Sequence, residues 1–220
     1  MSGRVATEAI LFDFDGVVAS VDLDAVFSLA RSYEPHFLVP PPRLIAEHFY
    51  DNPRNPELDL GLTTVEAVRE AMRPALWRGP REEWLAWWQA VEDAYAVPPG
   101  MAELLSWLRG RYRLGMLTDN HLGFRRWLQD RPDIGGYFDV VVCSAEEGLK
   151  KPEESLFLRA VERLGATLAT TVYVDNDPRN VYAARRLGLR SVHFRSVEQA
   201  REELGALLQD HGGRELSCTR

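Results

Sequence analysis

Short apolar runs recur along the chain, and each run ends at polar residues that open a turn. Runs of four to seven mostly apolar residues that do not alternate in polarity are typical of strands buried on both faces of a parallel sheet. Five runs fit this description: residues 9–12, 112–117, 137–143, 170–174 and 190–194. We therefore predict five buried strands with these bounds.

Helical periodicity fills the spaces between the later runs. Apolar residues recur at helical spacing over residues 101–109, 153–164 and 179–187, and glycine follows the last two of these segments. A strand that alternates repeatedly with a helix favours right-handed β-α-β crossovers. The predicted fold class is therefore α/β, with a doubly wound, Rossmann-like parallel sheet.

The stretch over residues 17–97 interrupts this alternation. It has no comparable strand, and its periodicity predicts helices over residues 22–33, 43–48, 63–73 and 81–95. Prolines at 40–42 and a turn-rich stretch at 51–56 separate some of these helices. We predict a small helical cap subdomain over residues 17–97, inserted between the first two strands of a core domain formed by residues 1–16 and 98–220.

Four of the six tryptophans lie in the predicted cap, at Trp77, Trp84, Trp87 and Trp88. The last three share one helical face because they are separated by three and four residues. Aromatic side chains on one face of a helix usually pack into the core of a bundle. A bundle core is therefore the first interpretation, and an aromatic wall over a binding site is the alternative.

Charge and composition narrow the class of partner. The chain has 33 acidic and 26 basic residues, so nucleic acid or an anionic membrane would be repelled overall. No apolar stretch approaches the ~18 residues of a membrane span, and no secretory signal pattern opens the chain. Cys143 and Cys218 lack the spacing of a metal or disulfide site. We expect a cytoplasmic protein without nucleic-acid or membrane partners, and its oligomeric state stays open.

Polar residues follow three of the predicted strands, at the point where each strand ends. In open α/β sheets, ligands bind outside the carboxyl ends of the strands, so these residues should converge. Five carboxylates at one edge would repel each other strongly, and a hard divalent cation, most naturally Mg²⁺, relieves that repulsion. The residues are Asp13, Asp15, Thr118, Asp119, Asn120, Asp175, Asn176 and Asp177.

The only two lysines of the chain, Lys150 and Lys151, stand together between the third strand and the helix after it. A bias toward arginine explains why lysine is rare. It does not explain why a pair is kept near the same sheet edge, where an ammonium group would meet an anionic ligand as a compact charge. We therefore include Lys151 in the candidate site.

Four short motifs resemble those of the haloacid dehalogenase superfamily. They are the run from Asp13 to Val18, the Thr118-Asp119-Asn120 strand end, Lys151-Pro152, and the turn from Asp175 to Asn180. Their order and spacing, and an insertion after the first motif, are also similar to superfamily members with a helical cap. A single motif of this kind would be weak evidence, but four in order at strand ends are specific.

The resemblance implies a role for each residue that matches a motif. Asp13 would be the nucleophile, and Asp15 would act as general acid and then as general base. Thr118 and Lys151 would stabilise the transferring phosphoryl group. Asp119 and Asn120 would complete the substrate-binding set, although the residue types favour a capping or supporting role over a ligand role for Asp119 and Asp177. His121, which follows the second motif, is the less favoured candidate for acid-base chemistry.

The resemblance also implies a Mg²⁺ site. Its ligands would be Asp13, the main-chain carbonyl of Asp15, and Asp175, with Asn176 next to Asp175. Many phosphatases of the superfamily have a second acidic residue at the Asn176 position. An amide oxygen there can bind a cation but contributes no negative charge.

These roles predict a Mg²⁺-dependent phosphatase that hydrolyses a small phosphate monoester through an aspartyl-phosphate intermediate. Three alternatives are phosphoglucomutase-like sugar phosphoryl transfer, 2-haloacid dehalogenase chemistry, and a catalytically inactive binding protein of this fold. Asp15 argues against the dehalogenase, which needs no acid at that position, and Asn176 is the one hint of inactivity. The predicted partner is a small-molecule phosphate ester, and a sugar phosphate, a nucleotide or a lipid-like phosphate all fit.

Overall fold

The computed structural model describes residues 6–40 and 56–209. Five parallel strands within them form one sheet in the order β3-β2-β1-β4-β5. This sheet confirms the predicted α/β class. The strands are β1 (Ala9–Phe12), β2 (Arg113–Thr118), β3 (Val140–Cys143), β4 (Thr171–Asp175) and β5 (Arg190–His193).

The observed strand bounds differ from the predicted ones at functionally relevant ends. β2 and β4 each extend one residue further, so Thr118 and Asp175 are the last residues of strands and not the first residues of turns. β3 begins only at Val140, because the Asp139 carboxylate accepts a hydrogen bond from the Leu114 N–H (2.8 Å) before the strand begins. Because Thr118 and Asp175 belong to the strands, the sheet fixes the positions of their side chains.

The described residues between 17 and 97 are largely helical. Their helices are α1 (Leu23–Ala30), which continues as a 3₁₀ helix (Arg31–His36), and then α2 (Pro56–Asp59), α3 (Val65–Leu76) and α4 (Arg81–Asp93). Asp22 and Thr64 cap α1 and α3 by accepting hydrogen bonds from main-chain N–H groups three residues on. The predicted helix at 43–48, Pro41, Pro42 and residues 51–55 lie outside the described residues.

A short pairing joins the two ends of this helical segment. Ser20–Val21 pairs antiparallel with Tyr95–Ala96, and we call these four residues the linker ribbon. The ribbon strands are only two residues long, so none is comparable to the strands of the main sheet, as predicted. The ribbon explains why α4 ends at Asp93 and not at Tyr95. Residues 17–19 pack with the core of the sheet. The exact division of the chain into two domains stays a prediction.

The tryptophans form the core of the helical segment. Trp84, Trp87 and Trp88 are fully buried and pack with Trp77 and apolar residues of α1 and α3 in a cluster separate from the core of the sheet. Their rings contact each other at centroid distances of 4.8 to 6.2 Å. The first interpretation, a bundle core, is confirmed.

Helices cover both faces of the sheet. On one face lie α5 (Met101–Arg109), α6 (Phe124–Gln129), α7 (Pro132–Gly135) and α11 (Val197–Gln209). On the opposite face lie α9 (Glu154–Arg163) and α10 (Pro178–Arg186), and α8 (Ser144–Glu147) follows β3 directly. No helix of residues 6–40 and 56–209 has the length and apolarity to cross a membrane.

Candidate active site

Asp13 lies immediately beyond β1, where its main chain still follows the sheet. Its N–H donates to the Val174 carbonyl (2.9 Å), so the side chain points out of the carboxyl edge of the central strand. The residue is 4% exposed. Lys151 Nζ lies 2.6 Å from Asp13 Oδ1 and 3.0 Å from Asp175 Oδ2, and the Lys151 side chain is fully buried. One ammonium group therefore bridges two buried carboxylates from neighbouring strands.

Asp175 is held by several further donors. Its Oδ2 accepts hydrogen bonds from the Tyr173 hydroxyl and from Asn180 Nδ2 (3.0 Å), and its Oδ1 accepts one from the Asp177 N–H (2.6 Å). Sequence analysis assigns no role to Tyr173, and Asn180 enters it only as the last residue of the fourth motif. Tyr173 lies two residues before Asp175 in the same strand, so the two side chains share one face, and this spacing could have identified it.

Burial dominates the electrostatics of this group. Burial raises the pKa of Asp13 to about 7, although the attraction of Lys151 opposes that shift. Burial alone would lower the pKa of Lys151, but the attraction of Asp13 and Asp175 outweighs it and raises that pKa above its usual range. Lys151 is therefore a permanent cation, and Asp13 is a carboxylate whose ionised form needs further positive charge.

Thr118, the last residue of β2, is fully buried. Within the described residues its hydroxyl oxygen has no hydrogen-bond partner. A buried hydroxyl without a partner costs free energy unless a ligand satisfies it. The Thr118 hydroxyl lies at the carboxyl end of the strand next to β1. It can donate a hydrogen bond to an anionic oxygen of a substrate that binds there.

Asp15 and Gly16 form a tight turn after Asp13. Gly16 has φ +76°, and a Cβ there would lie 2.4 Å from Asn176 Nδ2, so only glycine allows the loops after β1 and β4 to approach this closely. Asp15 Oδ1 accepts a hydrogen bond from the Tyr95 hydroxyl (2.8 Å), and Asn120 Nδ2 lies 3.5 Å from Oδ2. The structure thus brings Asp13, Asp15, Asn120 and Asn176 to one edge.

The remaining predicted residues hold the loops in place. Asp119 Oδ1 accepts a hydrogen bond from the Lys151 N–H (2.9 Å), which ties the loop after β2 to the lysine. Asp177 caps α10 through the Arg179 N–H (2.8 Å) and pairs with the Arg179 guanidinium (2.7 Å). Asp177 is therefore a capping residue, as one of the sequence interpretations had it. Asp119 supports Lys151, and its predicted contact with substrate stays a prediction.

The donor set at this edge fits a hard divalent cation. No cluster of three or more His, Cys, Asp or Glu side chains suited to a metal occurs in residues 6–40 and 56–209. The predicted ligand set needs only two carboxylates, since a main-chain carbonyl and an amide complete it. Asp175 Oδ1 accepts a single hydrogen bond from the described residues, which leaves it room for a cation, and the two carboxylates outnumber the one ammonium group.

His121 lies between this edge and α3. Its Nδ1 accepts a hydrogen bond from the Gly123 N–H (3.1 Å). Burial, with a smaller contribution from the positive charge of Arg69 on α3, lowers the pKa of His121 to about 4. Arg69 itself is buried, pairs with Glu92 (2.7 Å) and lies over the Trp88 ring (4.7 Å). His121 is therefore neutral near pH 7.

We expect a His121→Asn variant to be less sensitive to acid than the wild type. As pH falls from 6.5 to about 4, the unfolded chain takes a proton on His121 and the folded chain does not, so the free energy of unfolding falls. The loss is at most ~3.5 kcal/mol, at ~1.4 kcal/mol per pKa unit. The Asn side chain takes up no proton in this pH range, so the variant lacks this loss. It can still accept the hydrogen bond from the Gly123 N–H. Urea unfolding at pH 7, 5.5 and 4.5 measures the effect, and parallel pH profiles for the two proteins would contradict it.

Comparisons with known proteins agree with this arrangement. A family model described as haloacid dehalogenase-like hydrolase matches residues 7–188. The chain is 31% identical over 100 residues to a glyceraldehyde 3-phosphate phosphatase of Pyrococcus abyssi, covering 44% of this chain and 42% of that protein. It spans about half the length, or less, of the first curated relatives that it matches.

Solved structures show the same fold. A haloacid dehalogenase family enzyme of Bacteroides thetaiotaomicron, crystallised with magnesium and inorganic phosphate, has a TM-score of 0.67 at 20% identity, covering 86% of this chain and 95% of that one. L-2-haloacid dehalogenase of Xanthobacter autotrophicus has a TM-score of 0.63 at 21% identity, covering 92% and 84%. Because the family model covers most of the sheet and the segment inserted into it, the chain belongs to the haloacid dehalogenase-like hydrolases.

Proposed function

We propose that this chain is a Mg²⁺-dependent phosphatase that hydrolyses a small phosphate monoester through an aspartyl-phosphate. The observation that carries this proposal is the buried Lys151 ammonium between Asp13 and Asp175, with the orphan hydroxyl of Thr118 on the neighbouring strand. Together these groups provide a nucleophile, a fixed cation and a hydrogen-bond donor at one sheet edge. The similarity to a phosphatase and to an enzyme crystallised with magnesium and phosphate supports the proposed phosphatase function.

In the first half of the reaction, an oxygen of the Asp13 carboxylate attacks phosphorus and the ester P–O bond breaks. Asp15 donates its proton to the leaving oxygen, so the alcohol departs neutral. Lys151 and the Thr118 hydroxyl stabilise negative charge on the phosphoryl oxygens as the transfer proceeds. Lys151 is suited to this task because its pKa is raised and it stays charged.

In the second half, water attacks the phosphorus of the aspartyl-phosphate. Asp15, now a carboxylate, takes the proton of that water, the bond between phosphorus and the Asp13 oxygen breaks, and inorganic phosphate leaves. Asp13 returns to its carboxylate form, so the protein is unchanged after one turnover. The position of Asp15, two residues after the nucleophile and held by Tyr95 and Asn120, suits both proton transfers.

Mg²⁺ would be held by the carboxylates of Asp13 and Asp175, the main-chain carbonyl of Asp15 and the side chain of Asn176. When bound, it supplies the positive charge that lets an anionic nucleophile approach an anionic phosphate. The chain preorganises the Asp175 ligand. The Tyr173 hydroxyl, Asn180 Nδ2 and the Asp177 N–H donate hydrogen bonds that hold its carboxylate in place independently of the ion.

Phosphate release from p-nitrophenyl phosphate and from glycerol phosphate tests the proposal. We expect turnover with Mg²⁺, a loss of roughly 100-fold or more after treatment with EDTA, and recovery when Mg²⁺ is returned. Ca²⁺ is the matched control, because its larger radius and looser geometry suit this small ligand set poorly. A ³²P-labelled substrate should also leave label on the protein that hydroxylamine removes.

Other outcomes would point to the rival activities. Turnover unchanged in EDTA would overturn the metal dependence. Halide release from 2-chloropropionate without phosphate release would favour the dehalogenase. Transfer of label to a sugar phosphate in place of water would favour a mutase. No turnover of any of these substrates would favour an inactive binding protein.

A further inference from the structure

Tyr95 lies on the linker ribbon but reaches the candidate acid-base residue. Its hydroxyl lies 2.8 Å from Asp15 Oδ1, although the two residues are 80 positions apart in the chain. Its main chain pairs with Val21 in the ribbon. The residue thus joins the segment that carries the helices to the loop that carries Asp13 and Asp15.

The Tyr95 ring is fixed by its neighbours. It packs against Phe14, at a centroid distance of 5.4 Å, and against Trp127 of α6, at 5.3 Å. Arg131 donates from Nη2 to the Tyr95 carbonyl (2.9 Å) and lies over the Trp127 ring (5.3 Å). Because ring and main chain are both held, the hydroxyl has a defined position relative to Asp15.

A hydrogen bond to one carboxylate oxygen distinguishes the two oxygens of Asp15. Oδ1 accepts from Tyr95 at a normal distance, whereas the contact of Oδ2 with Asn120 Nδ2, at 3.5 Å, lies at the outer limit of a hydrogen bond. Of these two donors, the Tyr95 hydroxyl therefore makes the closer contact with the Asp15 carboxyl group.

We propose that Tyr95 is a positioning residue that fixes the Asp15 carboxyl group for proton donation to the leaving oxygen in the first half of the reaction. This proposal rests on the proposed phosphatase function. The Tyr95 hydroxyl donates to Oδ1 when Asp15 is ionised and also when Oδ2 is protonated, because Oδ1 is an acceptor in both forms. Tyr95 itself neither gains nor loses a proton.

A Tyr95→Phe variant tests the proposal, because it keeps the ring and removes only the hydroxyl. A nitrophenolate leaves readily without a proton, so turnover of p-nitrophenyl phosphate depends little on the general acid. Glycerol phosphate releases a basic alkoxide and needs the proton. We expect kcat for glycerol phosphate to fall about 10- to 100-fold and kcat for p-nitrophenyl phosphate to fall less than about 3-fold, with KM little changed for either.

Two controls separate positioning from a structural defect. Tyr182→Phe removes a hydroxyl from an exposed residue of α10 and should leave both substrates unaffected. In an Asp15→Asn background, Tyr95→Phe should have no further effect on glycerol phosphate, since the group that it positions is gone. Turnover of p-nitrophenyl phosphate by the same preparation reports whether the single variant is folded.

Equal losses on the two substrates, or no loss on either, would overturn the role of Tyr95, and so would a full additional loss in the Asp15→Asn background. The proposed function fails by a different result, namely no Mg²⁺-dependent phosphate release by the wild-type protein. That result would overturn both ideas together. A selective loss on glycerol phosphate that disappears in the Asp15→Asn background is the supporting outcome.

Discussion

Replacing Asp13 with Asn should abolish turnover while leaving the fold intact. An amide is a poor nucleophile toward phosphorus, so we expect kcat/KM to fall roughly 10⁴-fold or more. The free energy of unfolding should not fall, because the variant removes one of two buried carboxylates and leaves Lys151 paired with Asp175. Activity should therefore be lost without a loss of stability, as is common where a buried charge serves catalysis.

Phosphate release and urea unfolding, both on the same preparations, measure these two effects. Exposed Asp24 on α1 provides a matched control, since Asp24→Asn makes the same chemical change away from the site. Label from a ³²P substrate should remain on the wild-type protein and be absent from the Asp13→Asn variant. Retained activity above about one hundredth of wild type would remove Asp13 from the role of nucleophile.

Replacing Lys151 with Met should be the most destabilising single change in the site. The side chain is fully buried, and its loss leaves the carboxylates of Asp13 and Asp175 facing each other without their shared cation. Removing one partner of a buried charge cluster typically costs about 3–5 kcal/mol. Turnover should also be lost, because no fixed cation would then face the transferring phosphoryl group.

The neighbouring lysine gives a close control for this variant. Lys150 is partly exposed, and its Nζ lies 3.8 Å from Asp59 Oδ2. Lys150→Met should therefore lower the free energy of unfolding by less than ~1 kcal/mol. Urea unfolding at pH 8 with EDTA present compares the two variants without a contribution from bound metal. If both variants lose the same small amount of stability, Lys151 does not neutralise the buried carboxylates and its proposed role is wrong.

The sheet could be predicted from the sequence because its strands are buried on both faces. Each strand is then a continuous apolar run, and the polar residues at its end mark the edge where ligands bind. Asp13, Thr118 and Asp175 were found in this way, and Lys151 was found because the only two lysines stand together near the same edge. The structure brings all four residues to that edge. The helix α5 was predicted with its exact bounds from the helical spacing of its apolar residues.

Residues that act through long-range contacts could not be predicted in the same way. Tyr95 reaches Asp15 only because the linker ribbon folds residues 95–96 back onto residues 20–21, and two-residue strands leave no periodic signal in a sequence. Asn180 lies in the first turns of α10, where its residue type fits a helix terminus as readily as a hydrogen bond to Asp175. The orphan hydroxyl of Thr118 also depends on burial, which a single position in a sequence does not show.

The unequal burial of the two lysines has a practical consequence for chemical labelling. The Lys151 side chain is fully enclosed, whereas the Lys150 side chain is 34% exposed. An acylating dye offered to the folded protein should therefore modify the Lys150 side chain and leave the Lys151 side chain untouched. Acylation would also remove the charge that faces Asp59 of α2, so the label marks the loop before α9 at the point where it meets that helix.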